Sequence, residues 1–263
     1  MQPLRDLKTE EAARLVGLLF DLDDTFLTDG LLRSQTYQAL WDLSDAGLKL
    51  AIVTGRPVGW VEVLVRIFPV SGGIAENGNL FVVRERSRVQ VVDSCVPDER
   101  RSRRIRLARL ADEMRNRVPD AKVAGDAHLR ASDLTWDIGE HQRVPPDRVA
   151  MMRDVVLAHG ARVSVSSVHL HATFDAHDKA TGALQFARSI WDADPTALRR
   201  SLAFIGDSGN DAACFAAFHT TFGVSNVADH MSALSVPPRY IASFPSGAGF
   251  VQVANAILQK RSG

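Results

Sequence analysis

The stretch "LVGLLFDLDDT" (residues 15–25) is almost wholly apolar for six positions and then places Asp21, Asp23 and Asp24 within four residues. A short, unbroken apolar run of this kind reads as a strand buried on both faces of a parallel sheet. The acids fall where such a strand must end. Two further runs have the same character, "LKLAIVT" (48–54) and "LAFIGD" (202–207). Between the first two lies "SQTYQALWDLSDAG" (34–47), where Ser34 is a candidate cap, Tyr37, Leu40 and Trp41 keep helical spacing, and Gly47 is a stop. Strand, helix, strand in this order predicts right-handed crossovers and an α/β fold with a doubly wound, Rossmann-like parallel sheet.

From about residue 82 the pattern changes. "LFVVRERSRVQVV" (80–92) reads as a hairpin, "DERRSRRIRLARLADEMRNRV" (98–118) as an amphipathic helix, and "ARVSVSSVHLHATFD" (161–175) alternates with period two. Alternation predicts an antiparallel sheet with one face covered and one open. The sequence therefore predicts a core domain from residues 1–82 and 178–263, interrupted by an inserted α+β cap domain over 83–177.

Composition narrows the function. The 263 residues are 46% apolar and 24% charged, enough for a substantial core. Thirty-one basic residues balance 31 acidic ones, so no net field draws nucleic acid or an anionic membrane. In the arginine-rich segment, Leu107, Leu110 and Met114 form an apolar stripe, which leaves the arginines on a solvated face rather than on a nucleic-acid surface. Cys95 and Cys214 have no metal-type spacing. With no signal peptide and no membrane-length apolar run, a cytoplasmic chain with reduced thiols is expected.

In an open parallel sheet, ligands bind beyond the carboxyl ends of the strands. Asp21, Asp23 and Asp24 end the first strand, Thr54, Gly55 and Arg56 the second, and Asp207 the third, with Asp211 four residues on. Carboxylates converging on one rim repel one another unless a cation shares them. A hard divalent ion with oxygen ligands fits, Mg²⁺ above all, since it keeps waters for a phosphate substrate.

"DLDDT", "VTGR", Lys179 and "GDSGND", in this order, resemble the four motifs of the haloacid dehalogenase superfamily of aspartyl-phosphate hydrolases. The layout resembles its Cof-type, sugar-phosphate-phosphatase branch, in which an α/β cap lies between the second and third motifs. "GIAENGNLFVV" (73–83) adds the Glu-Asn-Gly segment typical of that branch. Asp24 stands where glycine is commonest in the family.

The resemblance implies a Mg²⁺-dependent phosphatase acting on a small phosphorylated metabolite, a sugar or sugar-acid phosphate. Asp21 would be the nucleophile that forms an aspartyl phosphate. Asp23 would protonate the leaving alcohol and then deprotonate water, and i, i+2 spacing lets both side chains face one phosphoryl group. Thr54 and Gly55 would bind phosphate oxygens, and Lys179 would oppose the developing charge. Asp21, the Asp23 carbonyl and Asp207 would hold the metal, with Asp211 orienting its surroundings and Ser208 and Asn210 lining the loop. Arg56 would reach toward substrate, and Arg130, Asp137, His169 and His171 are the cap candidates for contacting it. His169 and His171 share a strand face, but no third ligand completes a zinc site. The same motifs serve a phosphomutase or phosphotransferase, which requires a bisphosphorylated intermediate. A non-catalytic sugar-phosphate sensor would normally have lost Asp21 or Asp23.

Overall fold

The computed structural model describes residues 1–192 and 194–262. Its strands are β1 (Gln2–Pro3), β2 (Gly17–Phe20), β3 (Lys49–Val53), β4 (Gly72–Ala75), β5 (Leu80–Glu85), β6 (Arg88–Asp93), β7 (Asp133–Asp137), β8 (Arg162–Val165), β9 (His169–Thr173), β10 (Leu202–Gly206), β11 (Thr220–Gly223) and β12 (Tyr240–Ile241). The helices are α1 (Thr9–Ala13), α2 (Ser34–Asp45), α3 (Val58–Ile67), α4 (Pro97–Arg117), α5 (Pro146–Ala158), α6 (Lys179–Trp191), α7 (Pro195–Ser201), α8 (Ala212–Ala217) and α9 (Ser246–Ser262). Among the described residues no helix is long and apolar enough to cross a membrane.

Nine strands form one sheet in the order β1-β12-β11-β10-β2-β3-β4-β5-β6. It is parallel from β1 to β4, and the hairpin β5–β6 adds an antiparallel edge. Chain order reverses at β2, with β3 on one side and β10 on the other, so the expected doubly wound α/β architecture is borne out and its switch point lies between β2 and β10. Helices α2, α3 and α9 cover one face, and α6, α7 and α8 the other. Phe20, the last residue of β2, meets Phe250 of α9 edge-on at 5.4 Å, and Phe26 beyond the acidic turn meets the same ring at 4.9 Å. The acidic turn is thus pinned at both ends by buried aromatic rings.

A second sheet, β7-β9-β8, is antiparallel and carries α4 and α5 on one face. Leu170 and Ala172 of β9 point into that helical side, while His169 and His171 alternate to the other. Their face was expected to be open. It is instead packed on the rim of the large sheet, leaving His169 and His171 almost wholly buried. Burial is eased by carboxylates of the insert itself, Glu140 beside His169 and Asp133 beside His171.

Two expectations shift in detail. The hairpin β5–β6 belongs to the large sheet, so the chain passes to the second sheet only after Asp93 and not near residue 82. Ser34 is the first residue of α2 and its hydroxyl meets Gln35, so the cap expected of it is not made.

Candidate active site

The carboxyl ends of β2, β3 and β10 converge as the strand order requires. Asp21 sits one residue past β2, its Oδ1 accepting from the Leu22 N–H at 2.8 Å. Lys179 opens α6 and is buried, with its Nζ 2.9 Å from Asp21 Oδ2 and 2.7 Å from Asp211 Oδ1. The other Asp211 oxygen accepts from the Asp207 and Ser208 N–H groups at 2.9 and 3.1 Å. Asp207 accepts from Thr25 Oγ1 at 2.9 Å and from Asn226 Nδ2 at 3.2 Å. Oxygens of Asp21, Asp207 and Asp211 all lie within 4.8 Å of one another, and all three residues are buried.

Three buried carboxylates against one ammonium leave two negative charges in excess. Burial pushes the Asp21 carboxyl up to about 7, with Lys179 opposing and Asp211 and Asp23 adding to the rise. Burial, then Asp211 and Asp21, push Asp207 well above the carboxylate range. Burial alone would lower the Lys179 pKa, but Asp21 and Asp211 carry it above its usual value. An all-oxygen donor set short of two positive charges suits a hard divalent cation.

Local backbone explains this placement. Asp24 lies in the left-handed region at φ 54°, which accounts for the preference for glycine there; Asp is among the residues that tolerate it. Asn226 fixes the turn by donating to the Asp24 carbonyl at 3.0 Å. Lys179 is aimed by a capping box, in which Asp178 and Thr181 exchange hydrogen bonds at 2.8 Å. Helix α6 then abuts Gly78 so closely that a Cβ there would lie 2.1 Å from the Asp178 carbonyl oxygen. Gly78 also has φ 108°, so glycine is required twice over.

Thr54 is buried, and its Oγ1 accepts from the Arg56 N–H at 3.0 Å. The Arg56 guanidinium grips Asp23 with two bonds of 2.8 Å and stacks over Trp60 at 4.6 Å. Two carboxylates from the insert bind it as well, Glu140 at 2.8 Å and Asp126 at 3.3 Å. Ser208 donates to Asn210 at 3.0 Å, and Asn210 donates to Asn77 Oδ1 at 3.1 Å.

The four candidates from the insert divide. Arg130 is a brace, donating to the Gly55 carbonyl at 2.9 Å and pairing with Asp133 and Asp126. Asp137 accepts from the amides of Gly139, Glu140 and His141, and so shapes its own loop. The polar atoms of these two are spent on protein groups. His169 bonds Glu140 at 2.9 Å, and His171 bonds Asp133 at 3.1 Å through Nδ1 alone. Both histidines line a space of about 10 Å³ with Asp21, Asp23, Gly55 and Asn210. That volume holds about one water.

Several residues of this junction carried no sequence signal. Ser166 and Ser167 line the same space from the loop before β9. Asp126 and Glu140 meet Arg56 from irregular segments, where no periodicity announces them. Asn77 and Glu76 lie in the Glu-Asn-Gly stretch that was singled out, yet nothing in the stretch assigned them partners.

The Glu140 contact has a pH signature. The His169 hydrogen bond, with help from Arg56 and against burial, lowers the Glu140 carboxyl from 4.5 to about 2. A lowered acid stabilises the fold above its unfolded pKa and stops doing so as pH falls through the folded one. The melting-temperature gap between wild type and Glu140→Gln is therefore expected to be full at pH 7 and 5 and to narrow between pH 4.5 and 3. A gap unchanged from pH 5 to pH 3 would remove Glu140 as the ionised partner.

A family model of haloacid dehalogenase-like hydrolases matches residues 18–99. No curated protein matches the chain. Among solved structures, the fold is similar to that of Thermoplasma acidophilum 0175, with TM-score 0.72, 15% identity, and 92% of this chain and 98% of that one covered. The sucrose-phosphatase of Synechocystis sp. PCC6803, solved with sucrose and phosphate, gives TM-score 0.66 at 16% identity, covering 92% and 98%. A phosphatase of the haloalkanoate enzyme superfamily from Bacteroides thetaiotaomicron gives 0.63 at 18%, covering 93% and 96%. The expected resemblance to haloacid dehalogenase-like hydrolases is supported over residues 18–99, and the solved structures bear out the expected fold.

Proposed function

We propose that this haloacid dehalogenase-like hydrolase is a Mg²⁺-dependent phosphatase for a small phosphorylated metabolite, a sugar or sugar-acid phosphate, acting through an aspartyl phosphate on Asp21. The observation that carries the proposal is the buried set of Asp21, Asp207 and Asp211 around Lys179, which is short of two positive charges. Asp21, the Asp23 carbonyl and Asp207 would hold the metal, whose bound charge would neutralise phosphate oxygens. Asp211, with one oxygen on Lys179 and the other on two amides, is a positioning residue for both.

The proposed order of events assigns one step to each side chain. Asp21 attacks phosphorus, the bond to the leaving oxygen breaks, and Asp23 supplies that oxygen with a proton. Asp23 then takes a proton from the water that cleaves the aspartyl phosphate. Lys179 balances charge on the transferring group. With both its oxygens on Arg56, Asp23 can do neither, and a space of about 10 Å³ admits no metabolite. Because Asp126 and Glu140 of the insert grip the same guanidinium, withdrawal of the insert would loosen Arg56 and open the site in one movement. The insert is accordingly proposed as a cover that selects substrate, hinged on the two chain crossings that follow β6 and precede α6.

The test is phosphate release from p-nitrophenyl phosphate and from a panel of phosphorylated metabolites, with and without Mg²⁺. Turnover that requires Mg²⁺ is expected, and none across the panel at saturating metal would refute the proposal. In Asp207→Asn, the Mg²⁺ concentration for half activity is expected to rise by about tenfold or more, since one of two charged ligands is lost. An unchanged requirement would take Asp207 out of the metal shell.

A further inference from the structure

Two buried polar atoms beside the candidate nucleophile have no hydrogen-bond partner: Nε2 of His171 and Nδ2 of Asn77. Unpaired buried groups are uncommon, and each calls for a physical account. Both atoms converge on the space beside Gly55. A methyl group placed on Gly55 would lie 3.0 Å from Nε2 and 3.2 Å from Nδ2, so glycine keeps that space clear. Both residues also line a cavity of about 50 Å³ between the insert and the ends of β4 and α6, which Lys179 and Asn210 share. His171 reaches the Asp21 space as well, and so bridges the two.

The chemistry of each atom is fixed by its other contacts. His171 Nδ1 faces the Asp133 carboxylate at 3.1 Å, so Nδ1 carries the proton and Nε2 presents a lone pair. Burial and the cations Arg130 and Lys179 keep the ring neutral. Asn77 Oδ1 accepts from Asn210, which leaves Nδ2 as a pure donor. An ionised phosphoryl oxygen cannot satisfy Nε2, because both are acceptors. A carbonyl or carboxylate fails for the same reason, and an ammonium has no lone pair for Nδ2. A hydroxyl does both, donating to His171 and accepting from Asn77.

We infer that His171 and Asn77 form a hydroxyl-recognition pair for the leaving group, so that the alcohol released carries a free hydroxyl near the ester oxygen. This rests on the phosphatase reading and narrows it, since the pair selects for a hydroxyl on the alcohol and not merely for phosphate. An analogue without the hydroxyl would leave both buried atoms unpaired, which is how a polar pocket rejects a near-isostere.

The test compares kcat/KM, at saturating Mg²⁺, for propyl phosphate, propane-1,2-diol 1-phosphate and propane-1,3-diol 1-phosphate, with p-nitrophenyl phosphate run alongside. At least one diol ester is expected to exceed propyl phosphate by about tenfold or more in the wild type. His171→Phe, which keeps the ring and loses the lone pair, is expected to cut that preference to within about threefold. Asn77→Asp, which keeps the acceptor for Asn210 and tolerates the left-handed backbone at φ 57°, is expected to do the same. Equal rates on all three alkyl esters in the wild type would overturn the inference, and so would a preference that survives His171→Phe. Turnover of p-nitrophenyl phosphate with none of the alkyl esters would also overturn it while leaving the phosphatase reading in place. No turnover of any of the four would overturn the inference, and the phosphatase reading would fall with it only if the panel of phosphorylated metabolites also gave none.

Discussion

Asp21→Asn is expected to lower kcat at least about 10³-fold while leaving the melting temperature of the metal-free protein unchanged or higher. The loss follows from the role: an amide cannot form the aspartyl phosphate, and removing the nucleophile of a covalent mechanism costs several orders of magnitude. The stability side follows from the charges. In the folded chain the Asp21 carboxylate is buried beside Asp211 and near Asp23, and burial raises its pKa to about 7, so its negative charge opposes folding at neutral pH. Asparagine removes that charge and can still accept from the Leu22 amide, the bond that Asp21 Oδ1 accepts at 2.8 Å. Lys179 loses one carboxylate but retains Asp211 at 2.7 Å. Phosphate release and thermal melting on one preparation check both halves. Residual activity above a few per cent of wild type would sink the covalent route. A large fall in melting temperature would show that the loss of activity reports unfolding and not chemistry.

The parts of the molecule legible from sequence are those that local pattern controls. The runs ending at Asp21, Thr54 and Asp207 are short, apolar and uninterrupted because their strands are covered on both faces, and their length separates them from buried helices. Once the strands are placed, their carboxyl ends must converge, so the acidic rim follows. The junction with the insert was not legible, because its partners are far apart in the chain. Arg56 with Glu140 spans 84 residues, and Glu76 with Ser132 spans 56. Neither separation leaves a periodicity. Alternation in β9 correctly put His169 and His171 on one face, but alternation cannot say whether that face meets water or another sheet. Arg130 and Asp137 read as substrate candidates because each is a polar side chain in a strand-like segment of the insert, of the kind that sugar hydroxyls need. Their hydrogen bonds to Gly55, Asp133 and the 139–141 loop depend on folded geometry that no window of sequence contains.

Glu76 should be the most costly single position at that junction, with Glu76→Ala losing about 4 kcal/mol or more and Glu76→Gln recovering little of it. The side chain is fully buried and accepts five hydrogen bonds. Oε1 takes the N–H groups of Val58 at 3.1 Å and Ala131 at 2.9 Å. Oε2 takes the Ser132 N–H and hydroxyl, each at 2.6 Å, and the Asp133 N–H at 3.1 Å. It does this from a strained backbone at φ 49°, a conformation that a non-glycine residue keeps only where its surroundings dictate it. Burial and Asp133 raise its pKa, while the five donors favour the carboxylate. Alanine would leave the first turn of α3 and the start of β7 without acceptors, at about 1–3 kcal/mol for each buried group that water cannot reach. Glutamine keeps the shape but points an NH₂ at groups that are themselves donors, so an isosteric change should behave almost like a deletion. For a chain of this size the expected loss corresponds to roughly 8–16 °C in melting temperature. Differential scanning calorimetry of both variants checks it, and a glutamine variant melting within about 2 °C of wild type would contradict the requirement for two acceptor oxygens. The loss reaches the chemistry through β7. Asp133, held to Glu76 by its amide, orients His171 through Nδ1, so a loosened Asp133 lets the Nε2 lone pair turn away from the leaving-group cavity.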